Sequence, residues 1–441
     1  MAQPAFQSHY IPNTPEDQQA MLRAIGVESI DALFADIPDE HRNPPLQLPP
    51  PLPEMELRQE MEALAARNLT LDSRPSFLGA GCYHHFIPSV VRAILSRGEF
   101  LTSYTPYQAE VSQGTLQAAY EFQSLVCQLY GMEVANVGMY DGATSLAEAA
   151  LMACRLAGRF RVAALDTVSP AYRQVVDTYT RPQGVEVVTV HAGDRQLPKD
   201  TACLLVQSPN FFGYIEDMAA LSELAHGSGA LFVVSADPVS LGMFRPPGEF
   251  GADIATGEGQ PLGIAPSFGG PYVGLFTCRQ THIRQMPGRV VGRTVDRDGR
   301  PAYVLTLQTR EQHIRRERAT SNICTSEALV TLAATVYLAV MGPQGLRQVA
   351  ELCYQKAHYA ASVVSKLRGY SLPIKGAFFQ EFVVRCPIPP AEVNQRLLER
   401  GIIGGLDVSD QVANGMLLCV TEMAKRQEID ALASALADVG R

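Results

Sequence analysis

From Val134 onward, short runs of β-branched and aliphatic residues alternate with stretches in which apolar positions recur every three or four residues. Val134–Met139, Arg161–Leu165, Val185–Val190, Ala202–Val206, Ala230–Ser235, Asp253–Thr256 and Tyr272–Phe276 read as strands. Ser145–Leu156 and Met218–His226 read as amphipathic helices between them, the second stopped by Gly227. Strands that alternate with helices build βαβ units, so the pattern predicts an α/β domain around a mostly parallel, seven-stranded sheet covered on both faces. Past an apolar helical stretch at about Ser326–Met341, the order becomes helix, strand, strand, helix, strand, helix. That predicts a smaller α+β domain ending near Leu436.

The first hundred residues lack this alternation. Thr14-Pro15-Glu16-Asp17 marks a helix start, with a Thr cap, Pro at the first helical position and acids facing the positive helix end. Met21, Leu22, Ile25 and Val27 supply its apolar stripe. Six prolines between Asn43 and Pro53 fix an extended segment. A plain linker would share that composition, but Leu46, Leu48 and Leu52 alternate with the prolines, which favours a strap packed across a surface or a partner. The expected organisation is an N-terminal helical segment and strap over 1–100, a large α/β domain over 101–325, and a linking helix with a small domain over 326–441.

Composition narrows the class. With 46% apolar and 18% charged residues, the 441-residue chain has enough apolar content for sizeable cores. A net charge of −9 and no long basic run argue against a nucleic-acid groove. Met1–Tyr10 has no apolar core of a secretory peptide, and the near-apolar run 328–341 is shorter than a bilayer span, so a buried core helix and no membrane are expected. Nine scattered cysteines without a C-x-x-C pair suggest neither a disulfide framework nor a zinc cage, and fit a reducing cytoplasm. Of 36 basic residues only five are lysines, and none lies between Lys199 and Lys356.

Met139-Tyr140-Asp141-Gly142-Ala143-Thr144-Ser145 joins a strand end to an Ala-rich helix. Exposed amides there would make an anion site, although an ordinary capped helix has the same look. Asn210 and Asp237 each follow a strand, on the edge where open α/β sheets bind ligands. In pyridoxal-phosphate enzymes an Asp so placed pairs with the pyridinium nitrogen, and a lysine a few tens of residues later forms the Schiff base. Here the corresponding segment, 251–263, contains Glu258, Gln260 and no lysine. The chain has the frame of such an enzyme without its anchoring amine.

Two further segments are dense in polar and aromatic groups. One, 103–114, carries Tyr104, Tyr107 and Glu110 ahead of a helix at Thr115–Leu129. The other, 310–325, carries Arg310, Arg315, Arg316, Arg318, Asn322 and Cys324. Its arginines could equally be a solvated helix face with i,i+4 pairs, and Cys324 reads as a buried small hydrophobe. His84 and His85 are adjacent, so on a regular element they point apart; hydrogen bonding rather than a metal is expected of them.

Taken together, "MLRAIGVESIDALFADIP", "FLGAG", "GEFLTSYTPYQAEVSQGTLQAAYEFQ", "MYDGATSLAEAALMA", "SPNFFG", "GADIATGEGQPLG", "FGGPYVG", "MPGRVVGRTVD" and "REQHIRRERATSNICT" resemble the glycine cleavage system P protein, glycine decarboxylase, in the alpha (subunit 1) half of its two-subunit form. The resemblance runs through nearly the whole chain. It implies an aminotransferase-like fold of the pyridoxal-phosphate type I class. It also implies that this half has lost its own cofactor site, with the Schiff-base lysine carried by a homologous beta subunit and Gln260 near the vacated position. The implied activity is decarboxylation of glycine on the partner's pyridoxal phosphate, with release of CO2 and transfer of the aminomethyl group to the lipoyl arm of the H protein. An αβ heterodimer or its dimer is expected. Tyr104 is the foremost candidate to reach the shared site, with Tyr107, Glu110, His84, His85 and Asn322 as further candidates on its rim. Two rival readings are a non-catalytic subunit that stabilises the partner, and an independent pyridoxal-phosphate lyase using an unconventional lysine.

Overall fold

The computed structural model describes residues 12–42, 44–71 and 73–439. The chain divides into two compact units, 1–69 and 70–441. In the first, Thr14 caps the helix Pro15–Ile25 through a reciprocal pair of bonds with Asp17, and Gly26 ends it in the left-handed conformation. The expected apolar stripe buries only Leu22; Met21 and Ile25 are exposed. Residues 44–53 adopt no helix or strand, as the prolines lead one to expect. Asn43 and Met1–Tyr10 lie outside the described residues.

All seven expected strands form in the second unit: β1 (Val134–Ala135), β2 (Arg161–Leu165), β3 (Glu186–Val190), β4 (Thr201–Ser208), β5 (Leu231–Ala236), β6 (Ile254–Glu258) and β7 (Gly274–Cys278). Their spatial order is β1-β7-β6-β5-β4-β2-β3, with β7 antiparallel to both neighbours and the other pairs parallel. β1 is shorter than expected. Asn136 accepts from Gly138 N–H and Val137 N–H turns away to Arg289 O, so the ladder breaks, and Met139 rejoins only as a single bridge to Gly274.

The helix Gly142–Ala157 is buried along nearly its whole length, and packs on the sheet and against the helix Pro170–Thr180. The Met218–Gly227 helix runs through Gly227 to a cap at Ser228, one residue past the expected stop. A hairpin of β8 (Val290–Val295) and β9 (Pro301–Thr306), absent from the sequence-based expectation, lies over the helix Gln113–Tyr130, enclosing Leu116, Val137 and Val291.

The apolar helical stretch is the first part of Ala328–Val364, which is broken at Gly342 (φ 60°, ψ −178°). This helix meets the length and hydropathy needed to cross a membrane, yet half of its most apolar window is buried in the fold. Beyond it come β10 (Glu381–Arg385), the helix Pro390–Glu399, β11 (Leu406–Asp407), β12 (Gly415–Cys419) and the helix Arg426–Val439. The second helix thus precedes the last two strands, correcting the expected order. A three-stranded antiparallel sheet, β10-β12-β11, packs on the helices around Phe382, Leu418 and Leu432.

Candidate functional site

The parallel strands β4, β5 and β6 end together, and residues at and just beyond their ends, among them Asn210, Asp237 and Glu258, line one pocket with Tyr83, Tyr172 and Glu381. Asn210, expected here, is a turn builder: its Oδ1 accepts from Phe212 and Tyr214 N–H, and its Nδ2 donates to Glu216. Asp237 accepts from Ser240 N–H at 2.8 Å, and burial raises its carboxyl.

The N-terminus of the helix Gly142–Ala157 is both capped and occupied from within the chain. Asp141 makes the capping box with Thr144. Gly142 N–H, which would face an anionic ligand, instead donates to Glu258 Oε2 at 2.8 Å, while Gln260 N–H donates to Glu258 Oε1 at 2.9 Å. Only glycine fits at 142, since a Cβ would come within 2.5 Å of Tyr172 Oη and 2.9 Å of Glu258 N. Burial pushes the Glu258 carboxyl up to about 8.

Gln260 is fully buried. Its Oε1 accepts from Tyr83 N–H at 2.9 Å, and its Nε2 donates to Tyr83 O at 2.9 Å and Ile264 O at 2.6 Å. The amide therefore stitches residue 83 to the segment after β6. Tyr83 in turn donates its hydroxyl to Glu381 Oε2 at 2.7 Å, and Ala80 N–H donates to Oε1 at 2.6 Å. Burial raises Glu381 to about 7.

These residues do not fit pyridoxal phosphate. Among the described residues that line the pocket, three are acids and none is basic. No amine is among those residues, and the Glu258 carboxyl already takes the Gly142 N–H that an anion at this helix end would need. The pocket is acidic, and two of its three carboxyl groups, those of Glu258 and Glu381, are bonded within the chain.

The candidate rim residues fall into two places. His85 is buried and faces the segment that follows β12: its Nδ1 lies 2.7 Å from Glu422 Oε2, and Glu422 Oε1 accepts from Phe86 N–H. Burial alone would raise Glu422, but the His85 and Phe86 hydrogen bonds outweigh it and hold the carboxyl below its usual value. Cys353 joins this group, whose ligand-type atoms lie within 4.8 Å of one another; Glu422 Oε2 already accepts from the thiol and from His85. It is a hydrogen-bonded cluster with a metal-type donor set. His84 is half-buried beside it, with its carbonyl accepting from Thr421.

Tyr104, Tyr107, Glu110 and Asn322 lie elsewhere, and all four are exposed, Tyr104 at 76%. Tyr107 Oη accepts from Arg289 at 3.0 Å, and its ring meets His313 edge-on at 6.0 Å. Asn322 Oδ1 accepts from Gln312 Nε2. The segment around the arginines is not a continuous solvated helix. Arg310 is drawn inward, donating to Met286, Gly288 and Leu307 carbonyls, and burial pulls its pKa down. Arg315, Arg316 and Arg318 remain exposed. Cys324, expected to be buried, is exposed, because its peptide rather than its side chain is used: its N–H donates to Tyr140 and its carbonyl accepts from Arg289.

Sequence reasoning missed Glu258, Glu381, Tyr83 and Arg289 as determinants of these two regions. Glu258 had a local signal, two residues before Gln260 in the lysine-free segment 251–263. The others are joined by contacts between residues far apart in the chain.

The glycine cleavage system P-protein family model matches residues 8–436. A curated relative from Thermomicrobium roseum, the "probable glycine dehydrogenase (decarboxylating) subunit 1", is 54% identical over 97% of this chain and 98% of its own length. A crystal structure of glycine decarboxylase (P-protein) of the glycine cleavage system in inhibitor-bound form superposes with a TM-score of 0.93 at 44% identity, covering 98% of this chain and 100% of that one. An alanine–glyoxylate aminotransferase from Nostoc sp. shares the fold alone, with a TM-score of 0.55 at 18% identity over 83% of this chain and 95% of the other. The chain therefore has the expected aminotransferase-like type I fold, and it belongs to the glycine cleavage system P-protein family.

Proposed function

We propose that this chain is subunit 1 of a glycine dehydrogenase (decarboxylating) and acts only with a homologous second subunit that carries the pyridoxal phosphate. The observation that carries this reading is the closed pocket: a family member with this fold has Gln260 and Glu258 where an amine and a phosphate seat belong. The same family membership supports glycine as the substrate and CO2 as a product; on this reading the lipoyl arm of an H protein accepts the aminomethyl group. The bound cofactor would supply the electron sink for decarboxylation; this chain would supply walls and orienting groups.

Tyr104 is the foremost of those groups. Its exposure leaves its hydroxyl free to meet a partner's site, and Tyr107, Glu110 and Asn322 flank it or the neighbouring polar loop. His85, buried against Glu422, is better placed to hold the small domain against the segment 79–87 than to touch substrate.

The test is Tyr104→Phe in the assembled complex, assayed by exchange of labelled bicarbonate into the glycine carboxyl group. A loss of ten-fold or more in kcat with assembly intact is expected. An unchanged rate would leave the chain as a scaffold that only stabilises its partner.

A further inference from the structure

Residues 103–108 and 319–327 adopt no helix or strand, so no backbone ladder holds them in place. Between these two loops lies Arg289, only 5% exposed and positioned immediately before β8. Its carbonyl accepts from Val137 N–H at 2.9 Å, which fixes its backbone to the large domain.

The side chain uses every donor it has. Nε donates to Glu311 Oε2 at 3.3 Å; Nη1 to Thr105 Oγ1 at 3.1 Å and Thr325 Oγ1 at 3.4 Å; Nη2 to Tyr107 Oη at 3.0 Å and Cys324 O at 2.5 Å. A guanidinium carries five N–H groups, and five acceptors from three separate stretches of chain meet them. Its Cζ also stands 5.3 Å from the centre of the Tyr107 ring. Glu311, equally buried, balances the charge. A lysine could offer three donors from one point and cannot reproduce this planar fork.

We infer that Arg289 is a positioning residue for the proposed shared site: it clamps the Tyr104–Tyr107 loop to the 319–325 loop and so sets how Tyr104 is presented to the partner. Thr105, which Arg289 holds, is the next residue after Tyr104. The inference rests on the proposed role of Tyr104, but its structural half does not.

The test uses the full chain and the reconstituted complex, with Arg289→Ala and Arg289→Lys. In the chain alone, amide hydrogen exchange of 103–108 and 319–325 should rise together by ten-fold or more in Arg289→Ala and by less in Arg289→Lys, while β2 and β5 stay protected. Unchanged exchange in either loop would overturn the clamp. In the complex, kcat should fall at least ten-fold with little change in the KM for glycine, and low-millimolar guanidinium should restore part of the rate in Arg289→Ala, which a merely misfolded chain would not do. If Tyr104→Phe is impaired while both Arg289 variants turn over normally, the positioning role fails and the shared site survives. If Tyr104→Phe and Arg289→Ala are both silent in turnover while exchange rises, the shared-site reading fails and only the clamp stands. Should Arg289→Ala not fold, Arg289→Lys carries the same readouts.

Discussion

Glu381 shows what a single buried carboxyl does to this fold. With Ala80 N–H and the Tyr83 hydroxyl as its partners, it sits in a pocket without a basic side chain among its described lining residues, and burial moves it from about 4.5 to about 7. In that interval the folded chain keeps a proton that the unfolded chain has released. The unfolded state then binds fewer protons, so stability falls as pH climbs through the window and levels off above it. Glu381→Gln preserves an acceptor for Ala80 and can donate to the tyrosine oxygen. Its urea midpoint should therefore gain on the wild type between pH 5 and 7, by an amount on the order of 1–3 kcal/mol at the upper end. Parallel profiles would show that the carboxyl is ionised throughout. At this scale the sequence announced the missing lysine and the strand-end Asp237, because both lie at fixed places along the chain. It could not announce Glu381, whose partner Tyr83 is 298 positions away.

Among the elements, the break at Gly342 is the most testable. The helical stretch expected to end near Met341 and the helix expected after it follow each other directly in Ala328–Val364, divided at Gly342, which takes φ 60° and ψ −178°, a region that is essentially glycine-only. A Cβ there would meet nothing within 4 Å, so the cost of alanine is conformational alone. Helix propensity by itself would make Gly342→Ala stabilising by about 1 kcal/mol. The strained backbone at 342 has the opposite effect, and Gly342→Ala should lose about 1–3 kcal/mol in urea denaturation. A gain in midpoint would mean that the two halves can straighten into one helix. The seven strands were legible because strands buried on both faces read as continuous apolar runs. The β8–β9 hairpin was not: its outer half is polar, and what covers its inner half is the distant helix Gln113–Tyr130. The order of the small domain was misread for a related reason, since β11 has only two residues and gains its identity from pairing with β12.

For the whole molecule, the closed pocket makes a prediction that no single residue makes. The wild-type chain incubated alone with pyridoxal phosphate should develop no visible absorption band that borohydride removes. Gln260→Lys should not restore one either, because Glu258 Oε2 still takes the Gly142 N–H at the helix N-terminus and three acids still line the cavity. A borohydride-sensitive band on the wild type would revive an independent lyase with an unconventional lysine. A band on Gln260→Lys alone would show that the missing amine was the whole of the loss. The charge arithmetic supports the first expectation: the two lysines that flank the gap in sequence are Lys199 and Lys356, and the Lys356 ammonium is held by the Glu422 carbonyl.

What the sequence by itself determined is the frame: the βαβ alternation, the strand-end positions, and the absence of an amine where this fold would place one. Those properties are local or periodic, and a chain read in order displays them. Tertiary structure alone decided that Glu258 takes the Gly142 N–H and Gln260 binds residue 83, that His84 and His85 meet Thr421 and Glu422, and that Tyr107 is tied to the loop at 324 through Arg289. Each of these depends on polar groups buried together from distant stretches of chain, where the cost of an unpaired donor or acceptor dictates the partner and sequence distance carries no information.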